Sequence, residues 1–435
     1  MEFTSDDPPG SAPGDAPSTR QIVAVVAIGV VALVIMAAAG LALFTESQIA
    51  RYPIEAIEER GQADGAGSHR RAGEDEGHET LNILVVGSDS REGLSEAERD
   101  RLTTGPPQGP PRTDTILLVH ARPEEGVATI VSIPRDLKVE LPGSGPGKIN
   151  AAVARGGPDL LVRIVERLSG FDIDHYVEVS IPSFLTVVEA VGGVEVCLRE
   201  PLVDDKSGAD LRAGCQHLDA VEALAYVRSR EGARGDFRRI HRQQRFLKAL
   251  ANEATSAGTL ANVPRVVRIA DRVASSLTTD EDFGLTQLRF LAEQFRGMAS
   301  GDVQTATVPA YAQTIQDTSY VVPYRPGVRA LFERLAEGGR LGPRGTARQR
   351  QTADVVVWNG QRGQTVQRVE SVLYFAGFQP RREPPATDVE ETVVYAASDD
   401  EIATWIGSIL GAPVRPLPPG VPVRDDTDAV VAVSQ

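Results

Sequence analysis

The sequence contains few cysteines and few lysines. Its 435 residues include two cysteines, Cys197 and Cys215, and only four of its 45 basic residues are lysine. Acidic residues number 60, which gives a formal net charge of −15. Proteins that bind nucleic acid normally carry a surplus of positive charge, so the composition argues against nucleic acid as a partner.

The sequence also lacks the short motifs of several enzyme classes. It has no P-loop, no dinucleotide-binding glycine motif, no nucleophile elbow and no zinc signature. His175, His217 and His241 do not have the spacing of metal ligands, and a structural or surface role suits them better. Carboxylates and arginines are therefore the groups in which to look for chemistry.

One long apolar run predicts the cellular compartment. Ile22–Phe44 is uncharged, and 23 helical residues reach about 34 Å, enough for a hydrocarbon core of about 30 Å. A cleavable signal peptide is the alternative, but it has a shorter apolar region and a basic start. The first nineteen residues contain no Lys or Arg, so we predict a retained membrane anchor.

The two cysteines bear on the side of the membrane. Cys197 and Cys215 enclose 17 residues, and a bridge closing such a loop would contribute roughly 3 kcal/mol. An isolated pair without metal-ligand spacing fits an oxidising compartment. Two buried free thiols remain the alternative. We predict a disulfide, with the bulk of the chain outside the cytoplasm.

Composition divides the chain into six predicted segments. Residues 1–20 are rich in Pro, Gly, Ser and Asp, and a second break without hydrophobic periodicity runs through GGRLGPRGTARQRQ. In chain order the segments are a disordered cytoplasmic tail at 1–20, a transmembrane helix at 21–44, a stalk at 45–79, a large domain at 80–336, a linker at 337–351 and a small α/β domain at 352–435.

Short apolar runs alternate with helical patterns in the two larger segments. LNILVVG, TDTILLVHA and GVATIVSIP are β-branched runs bounded by Gly or Pro, which is typical of buried strands. Helices are predicted at Pro158–Ser169, Pro182–Val191, Leu218–Tyr226 and Arg239–Ala257. The distal block predicts strands at DVVVWNG, ETVVYAA and AVVAVSQ, with helices at Thr365–Ala376 and Asp399–Leu410. This interleaving predicts an α/β fold around a central sheet.

Two aspartates lie at the ends of neighbouring predicted strands. Asp89 follows the first strand in GSDSR, and Asp114 begins the next in RTDT. Ligand-binding loops collect at strand ends in α/β folds, so the two carboxylates can converge on one cation. Mg²⁺ suits them because it takes one or two protein carboxylates and fills its shell with water and phosphate oxygens. The alternative is that each aspartate caps a turn.

Four arginines and two neighbouring polar residues form a second group. Arg135 follows a strand in IPRD, and YVRSR places Arg228 and Arg230 on one side of an extended segment. In GDFRRIHRQQ, one helix face would carry Asp236, Arg239 and Gln243, with Asp236 as a plausible N-cap. Guanidinium groups grip phosphate bidentately, so this set predicts a pyrophosphate receptor. A solvated arginine-rich face is the alternative.

These motifs, in this order, resemble the LytR-CpsA-Psr family of cell-wall glycopolymer transferases. The resemblance spans roughly residues 80–255 and rests on NILVVGSDSR, RTDTILLVH, VSIPRDLKVELPG, KINAAVARGGP, DHYVEVS, VGGVEVCL, AGCQHLDAVEALAYVRSR and GDFRRIHRQQRFLKAL. It implies an α/β/α sandwich around a central mixed sheet, with the lipid tail held in a hydrophobic cleft. The distal block resembles the LytR C-terminal domain, mainly through VVVWNG. Arg238 departs from the family's common glycine.

The resemblance assigns roles to individual residues. It implies Mg²⁺ at Asp89 and Asp114, and pyrophosphate binding by Arg135, Lys148, Arg228, Arg230, Arg239 and Gln243. Asp89, Arg135 and Asp236 are the candidate catalytic residues, with Asp89 and Asp236 as candidate general bases.

The implied reaction moves a glycopolymer from a polyprenyl-pyrophosphate carrier in the membrane onto peptidoglycan. Two other functions stay open, namely a hydrolase of the lipid pyrophosphate and a non-catalytic surface regulator that binds lipid-linked precursors. We expect the distal domain to bind or scaffold, because it carries no catalytic constellation.

Overall fold

The computed structural model describes most of the chain beyond residue 49. The described residues are 50–57, 80–106, 112–122, 127–231, 235–254, 276–281, 283, 302–338, 353–358, 364–385, 389–424 and 426–434. Within these ranges, no helix has the length and apolar character needed to cross a membrane. The predicted anchor at Ile22–Phe44 lies outside the described residues, as do the predicted tail and most of the stalk and linker. Residues 50–57 correct the predicted stalk, because Ala50–Tyr52 is a strand of the central sheet and Ile54 is fully buried.

A seven-stranded mixed sheet forms the centre of the larger part. Its strands, in sheet order, are β1 (Ala50–Tyr52), β12 (Thr278–Asp280), β7 (His175–Val179), β2 (Leu81–Ser88), β3 (Thr113–Arg122), β4 (Val127–Ser132) and β13 (Asp302–Thr307). The β1–β12, β7–β2 and β4–β13 pairs are parallel, and the other three pairs are antiparallel. The predicted central mixed sheet is confirmed, and so are the three strands predicted from LNILVVG, TDTILLVHA and GVATIVSIP.

Helices cover both faces of this sheet because the strands bury both. Along β2, Leu84 and Val86 belong to one apolar cluster, whereas Leu81 and Ile83 belong to another on the opposite face. The helices of the larger part are α1 (Glu96–Arg101), α2 (Ala152–Ser169), α3 (Ile181–Val191), α4 (Ala220–Arg228), α5 (Gly235–Ala254) and α6 (Arg325–Ala336). Helices α2 and α6 pack on the first face, and α3, α4 and much of α5 pack on the second.

Three helix boundaries differ from the sequence predictions. A capping box between Asp219 and Glu222 begins α4 two residues after the predicted start at Leu218. Helix α2 is kinked at Gly156 and Gly157, just before the predicted start. The described part of α5 begins at Gly235, so Asp236 lies inside the helix, and its prediction as the N-cap is wrong.

The described residues also form four two-stranded ribbons outside the central sheet, which the sequence does not predict. They are β5 (Lys138–Leu141) with β6 (Gly145–Lys148), β8 (Val194–Leu198) with β11 (Gly214–Leu218), β9 (Leu202–Asp204) with β10 (Ala209–Leu211), and β14 (Ala310–Ile315) with β15 (Thr318–Pro323). Cys197 and Cys215 are direct cross-strand partners in β8 and β11, and they form the predicted disulfide.

The distal block forms a second, five-stranded sheet. In sheet order its strands are β17 (Arg381–Glu383), β16 (Asp354–Trp358), β20 (Thr427–Ala432), β18 (Val393–Ala396) and β19 (Val414–Pro416). Helices α7 (Gln364–Phe375) and α8 (Asp400–Leu410) accompany it. The three predicted strands and two predicted helices are confirmed, whereas the edge strands β17 and β19 are too short to show a pattern.

The distal sheet packs directly on the larger part. Its helices share one apolar cluster with α2 and α6. The Tyr324 hydroxyl donates to the carbonyl oxygen of Leu410 at 2.8 Å, and the Arg368 guanidinium lies 4.6 Å from the ring centroid of Tyr311. Gly327 permits the approach of α6 to α8, because a Cβ there would lie 2.4 Å from the Ile409 carbonyl oxygen.

Candidate active site

The first wall of the site is the edge of the sheet where β2 ends and β3 begins. The Asp89 amide donates to the Arg112 carbonyl oxygen at 2.9 Å, and the Arg112 amide donates to Oδ1 of Asp89 at 2.6 Å. These reciprocal bonds hold the Asp89 carboxylate beside β3. Gly87 is required by the close pairing, because a Cβ there would come within 3.0 Å of the Thr115 side chain.

A β-bulge presents Asp114. The register pairs Gly87 with Thr115 and Ser88 with Thr113, so Asp114 is the extra residue on β3. Bulges redirect a side chain out of the regular alternation and are frequent beside active sites. The Asp114 carboxylate accepts a hydrogen bond from the Arg135 guanidinium and forms an ion pair with it.

Arg135 and Lys148 contact aspartate side chains near the cavity and do not face the cavity themselves. Arg135 follows β4, and its carbonyl oxygen accepts from the Asn150 amide at 3.1 Å. Lys148 forms an ion pair with Asp136 at 2.9 Å, and Asp136 also lies 3.5 Å from Nε of Arg135. Neither cation lines the cavity of the site. Arg135 lies behind Asp114, and Lys148 lies behind Asp136.

The opposite wall comes from the end of α4. Arg228 is the last residue of this helix, which begins at Ala220 after the Asp219 N-cap. This corrects the predicted extended segment, because Arg228 is helical and Ser229 is the C-cap. Its guanidinium donates to the carbonyl oxygens of Leu102 and Thr103, at 3.0 and 3.3 Å. Burial lowers the pKa of Arg228, and the nearby Asp114 carboxylate opposes this effect. Arginine remains charged despite such a shift.

Helix α5 supplies the third wall. Arg239 and Gln243 are four residues apart and therefore share a face. Arg239 is 4% exposed, and Gln243 donates to the Thr115 hydroxyl at 3.0 Å, which ties α5 to the bulge of β3. Asp236 precedes them in the first turn, but its side chain lies outside the described residues.

These walls enclose one cavity of about 730 Å³. Six of the predicted site residues line it: Asp89, Asp114, Arg228, Arg230, Arg239 and Gln243. The remaining lining is largely apolar and includes Val177, Val179, Phe184, Val187, Leu224, Phe246, Leu247, Leu250 and Leu277. Along α5 the lining changes from Arg239 and Gln243 to Phe246 and Leu250, over about 16 Å of helix. A charged end that continues into an apolar end suits an amphiphile with an anionic head.

A family model and several known proteins match this chain. The model of the LytR_cpsA_psr family covers residues 51–337. The chain belongs to this family. It is 42% identical over 255 residues to the probable cell wall biosynthesis protein LcpB of Corynebacterium glutamicum, a match that covers 58% of this chain and 60% of that protein.

A second relative is the polyisoprenyl-teichoic acid–peptidoglycan teichoic acid transferase TagV of Bacillus subtilis, which is 34% identical over 207 residues. That match covers 45% of this chain and 51% of TagV. The chain thus aligns with only part of the length of both relatives. Among solved structures, protein gbs0355 of Streptococcus agalactiae superposes with a TM-score of 0.51 at 18% identity, over 66% of this chain and 91% of that protein. This likeness concerns the fold alone.

Two carboxylates of this LytR-CpsA-Psr protein fit the predicted magnesium site. Asp89 and Asp114 both line the cavity, and they supply the hard oxygen ligands that Mg²⁺ prefers. Among the described residues, no three Asp, Glu, His or Cys side chains come together as a metal-ligand group. An ion held here would therefore take its other ligands from water and from a bound phosphate.

The sequence did not reveal Asp204, which holds residues 228–230, here called the arginine segment, in place. Its Oδ2 accepts from the Arg230 amide at 3.0 Å, and its Oδ1 accepts from the Lys206 amide at 3.1 Å. Burial raises the pKa of Asp204, but hydrogen bonds from Ser229, Lys206 and Ser207 outweigh burial, and the net pKa is lowered.

Arg242 holds the same segment from the side of α5. It donates to the Ser229 carbonyl oxygen at 2.6 Å. The sequence around Asp204 indicates only a turn, because Ser229 and Arg230, the partners that it holds in place, lie far away along the chain.

Proposed function

We propose that the chain is a phosphotransferase that moves a glycopolymer from a polyprenyl-pyrophosphate carrier onto peptidoglycan. The observation that carries this proposal is the cavity, whose charged end contains Arg228, Arg230 and Arg239 beside Asp89 and Asp114, and whose lining becomes apolar along α5 toward the other end. A pyrophosphate head and a polyprenyl tail match these two ends. The likeness to TagV, a polyisoprenyl-teichoic acid–peptidoglycan teichoic acid transferase, supports the same class of reaction.

The reaction places charge where the cavity has cations. A hydroxyl oxygen of peptidoglycan attacks the sugar-side phosphorus, a new P–O bond forms, and the bridging P–O bond breaks to release polyprenyl phosphate. Negative charge develops on the transferred oxygens and on the departing lipid phosphate. Arg228, Arg230 and Arg239 stabilise this charge. The Arg228 guanidinium is held by two backbone carbonyl oxygens and Arg239 is buried, so these two cations are positioned before the substrate binds.

Mg²⁺ belongs to the proposal as the cofactor held by Asp89 and Asp114, where it would neutralise phosphate charge. Asp89 and Asp236 are the proposed candidates for the base that accepts the hydroxyl proton. Arg135 pairs with Asp114 and keeps its carboxylate directed at the cavity. Lys148 pairs with Asp136, which lies beside Arg135, and so acts on the site indirectly.

The proposed location is the outer face of the cell membrane. The apolar run Ile22–Phe44 would span the bilayer, with a short cytoplasmic N-terminus. The disulfide between Cys197 and Cys215 supports an oxidising compartment. An anchor of this kind would keep the cavity in the plane where the lipid carrier resides.

A transfer assay with two products tests this function. The full chain is reconstituted in liposomes with polyprenyl-pyrophosphate glycans that carry a radiolabelled first sugar, together with peptidoglycan and Mg²⁺. We expect label in peptidoglycan, and we expect Asp89→Ala to abolish that label. Release of free phosphosugar alone would indicate a hydrolase. Absence of any magnesium-dependent turnover across the glycan panel would leave a binding regulator.

A further inference from the structure

The strand β1 enters the central sheet beside the cavity. The register aligns Ala50 with Thr278, and Thr278 with Glu178. The next row toward the site contains Leu277, Val179, Gly87 and Thr115, and all four residues line the cavity. Neighbouring strands lie about 4.8 Å apart, so Ala50 lies one strand and one row away from the cavity-lining Leu277.

The sequence leaves little chain between this point and the predicted anchor. The apolar run ends at Phe44, and only the five residues 45–49 separate it from Ala50. From Phe44 to Ala50 the chain takes about six steps, which span at most about 22 Å even when fully extended. A membrane span that ended at Phe44 would therefore hold the edge of the sheet that carries the cavity close to the bilayer.

An exposed apolar side chain lies on the same cavity. Among the described residues, Tyr52, Val203 and Val414 are the large hydrophobic residues that are exposed. Val203 is 55% exposed, and it is the one of the three that lines the cavity. It lies on β9, next to Asp204, at the base of a hairpin whose tip is Asp205, Lys206 and Ser207. Val414 lies on β19, at the edge of the distal sheet.

We propose that the rim of the cavity formed by Ala50, Leu277 and the β9–β10 hairpin lies against the surface of the lipid bilayer. This inference rests on the proposed function, because it uses the membrane anchor. The cavity then opens toward the membrane, and the lipid carrier enters it without crossing water. Val203 inserts among the lipid head groups, where exposure of its apolar side chain is less unfavourable than exposure to water.

Tryptophan quenching tests this orientation in the full chain. The protein is reconstituted in liposomes with and without brominated phosphatidylcholine, which quenches tryptophan only at short range. The native Trp358 and Trp405 are 1% and 4% exposed, and their emission is measured in the wild type and subtracted. Val203→Trp is the test variant, and Val414→Trp is the matched control. Asp205→Trp, on the exposed hairpin tip, replaces the test variant if Val203→Trp does not fold.

We expect brominated lipid to reduce the emission of Trp at position 203 or 205 and to leave that at position 414 unchanged. Equal quenching at the test and control positions, or none at position 203 or 205, would overturn the orientation. Transfer is measured in the same liposomes with wild-type protein. Transfer without quenching refutes this inference alone, whereas quenching without transfer refutes the proposed function and leaves the orientation in place.

Discussion

The carboxylate of Asp114 is paired with the guanidinium of Arg135, 21 residues later in the chain. The bulge in β3 makes this pair possible, because it turns Asp114 out of the strand alternation. Arg135 itself does not line the cavity. Its contribution to catalysis is therefore expected to pass through Asp114.

Removal of either partner of this pair should abolish most of the transfer. We expect Arg135→Ala and Asp114→Asn each to lower the transfer rate on the order of 100-fold or more, because one preorganised charge at a reacting centre is worth that much. The double variant should lose little more than either single one, since the residues act as a unit. Arg163→Ala, which breaks a surface ion pair with Asp159, is the control and should leave transfer unchanged. Additive losses in the double variant would contradict the coupling.

Replacement of Asp204 should weaken binding of the pyrophosphate but not of the lipid tail. Asp204→Asn keeps the size of the side chain but weakens its hydrogen bonds to the Arg230 amide and Ser229, so the arginine segment shifts. A small displacement of charged groups can lower the rate on the order of 100-fold. The transfer rate of the variant is measured together with its binding of two lipids. Binding of polyprenyl pyrophosphate should weaken, and binding of polyprenol should stay unchanged. The exposed Asp210 of the same hairpin, changed to Asn, does not line the cavity and is the control, and equal effects of the two variants would refute the positioning role.

The stability of the fold should depend on pH through His120. Burial lowers the pKa of His120 to about 4, and its Nδ1 lies 2.7 Å from the side-chain oxygen of Asn82. The unfolded chain binds a proton near pH 6.5, so the folded state loses stability as the pH falls from about 6.5 to about 4. The loss should approach about 3 kcal/mol, measured as the free energy of unfolding in urea.

A His120 variant separates this effect from other titrations. His120→Gln should be less stable at neutral pH and should lack this part of the pH dependence. The exposed His217, changed to Gln, should leave the wild-type profile intact. An unchanged profile in His120→Gln would assign the acid sensitivity to other groups.

Contact between the two sheets should make them unfold together. Gly327→Ala places a methyl group against the Ile409 carbonyl and the Pro309 side chain, which forces α6 away from α8. Overpacking of this kind costs about 1–3 kcal/mol. We expect one thermal transition in the wild type and a separate, earlier transition of the distal sheet in the variant. Arg329→Ala, an exposed change on the same helix, is the control, and two transitions in the wild type would show that the sheets fold independently.

The sequence predicts well the strands that carry the site, but it predicts the geometry of the site poorly. Buried strands such as β2 and β3 are continuous β-branched runs, and polar residues at their ends stand out. The bulge at Asp114 leaves no mark, because Thr-Asp-Thr also fits a regular strand. The alternation of Arg228 with Arg230 predicts an extended segment and hides the end of the short helix α4. Asp204 and Arg242 act through contacts between distant segments, and no local pattern reveals such contacts.

The most direct test of the central claim is mass spectrometry of the lipid that co-purifies with the detergent-extracted full chain. The cavity predicts a polyprenyl lipid with a phosphate or pyrophosphate head in the wild type. The same lipid should be retained by Arg163→Ala and lost from a variant that carries both Arg228→Ala and Arg239→Ala. Recovery of phospholipid alone, or of equal amounts of polyprenyl lipid from the wild type and the double variant, would contradict the account.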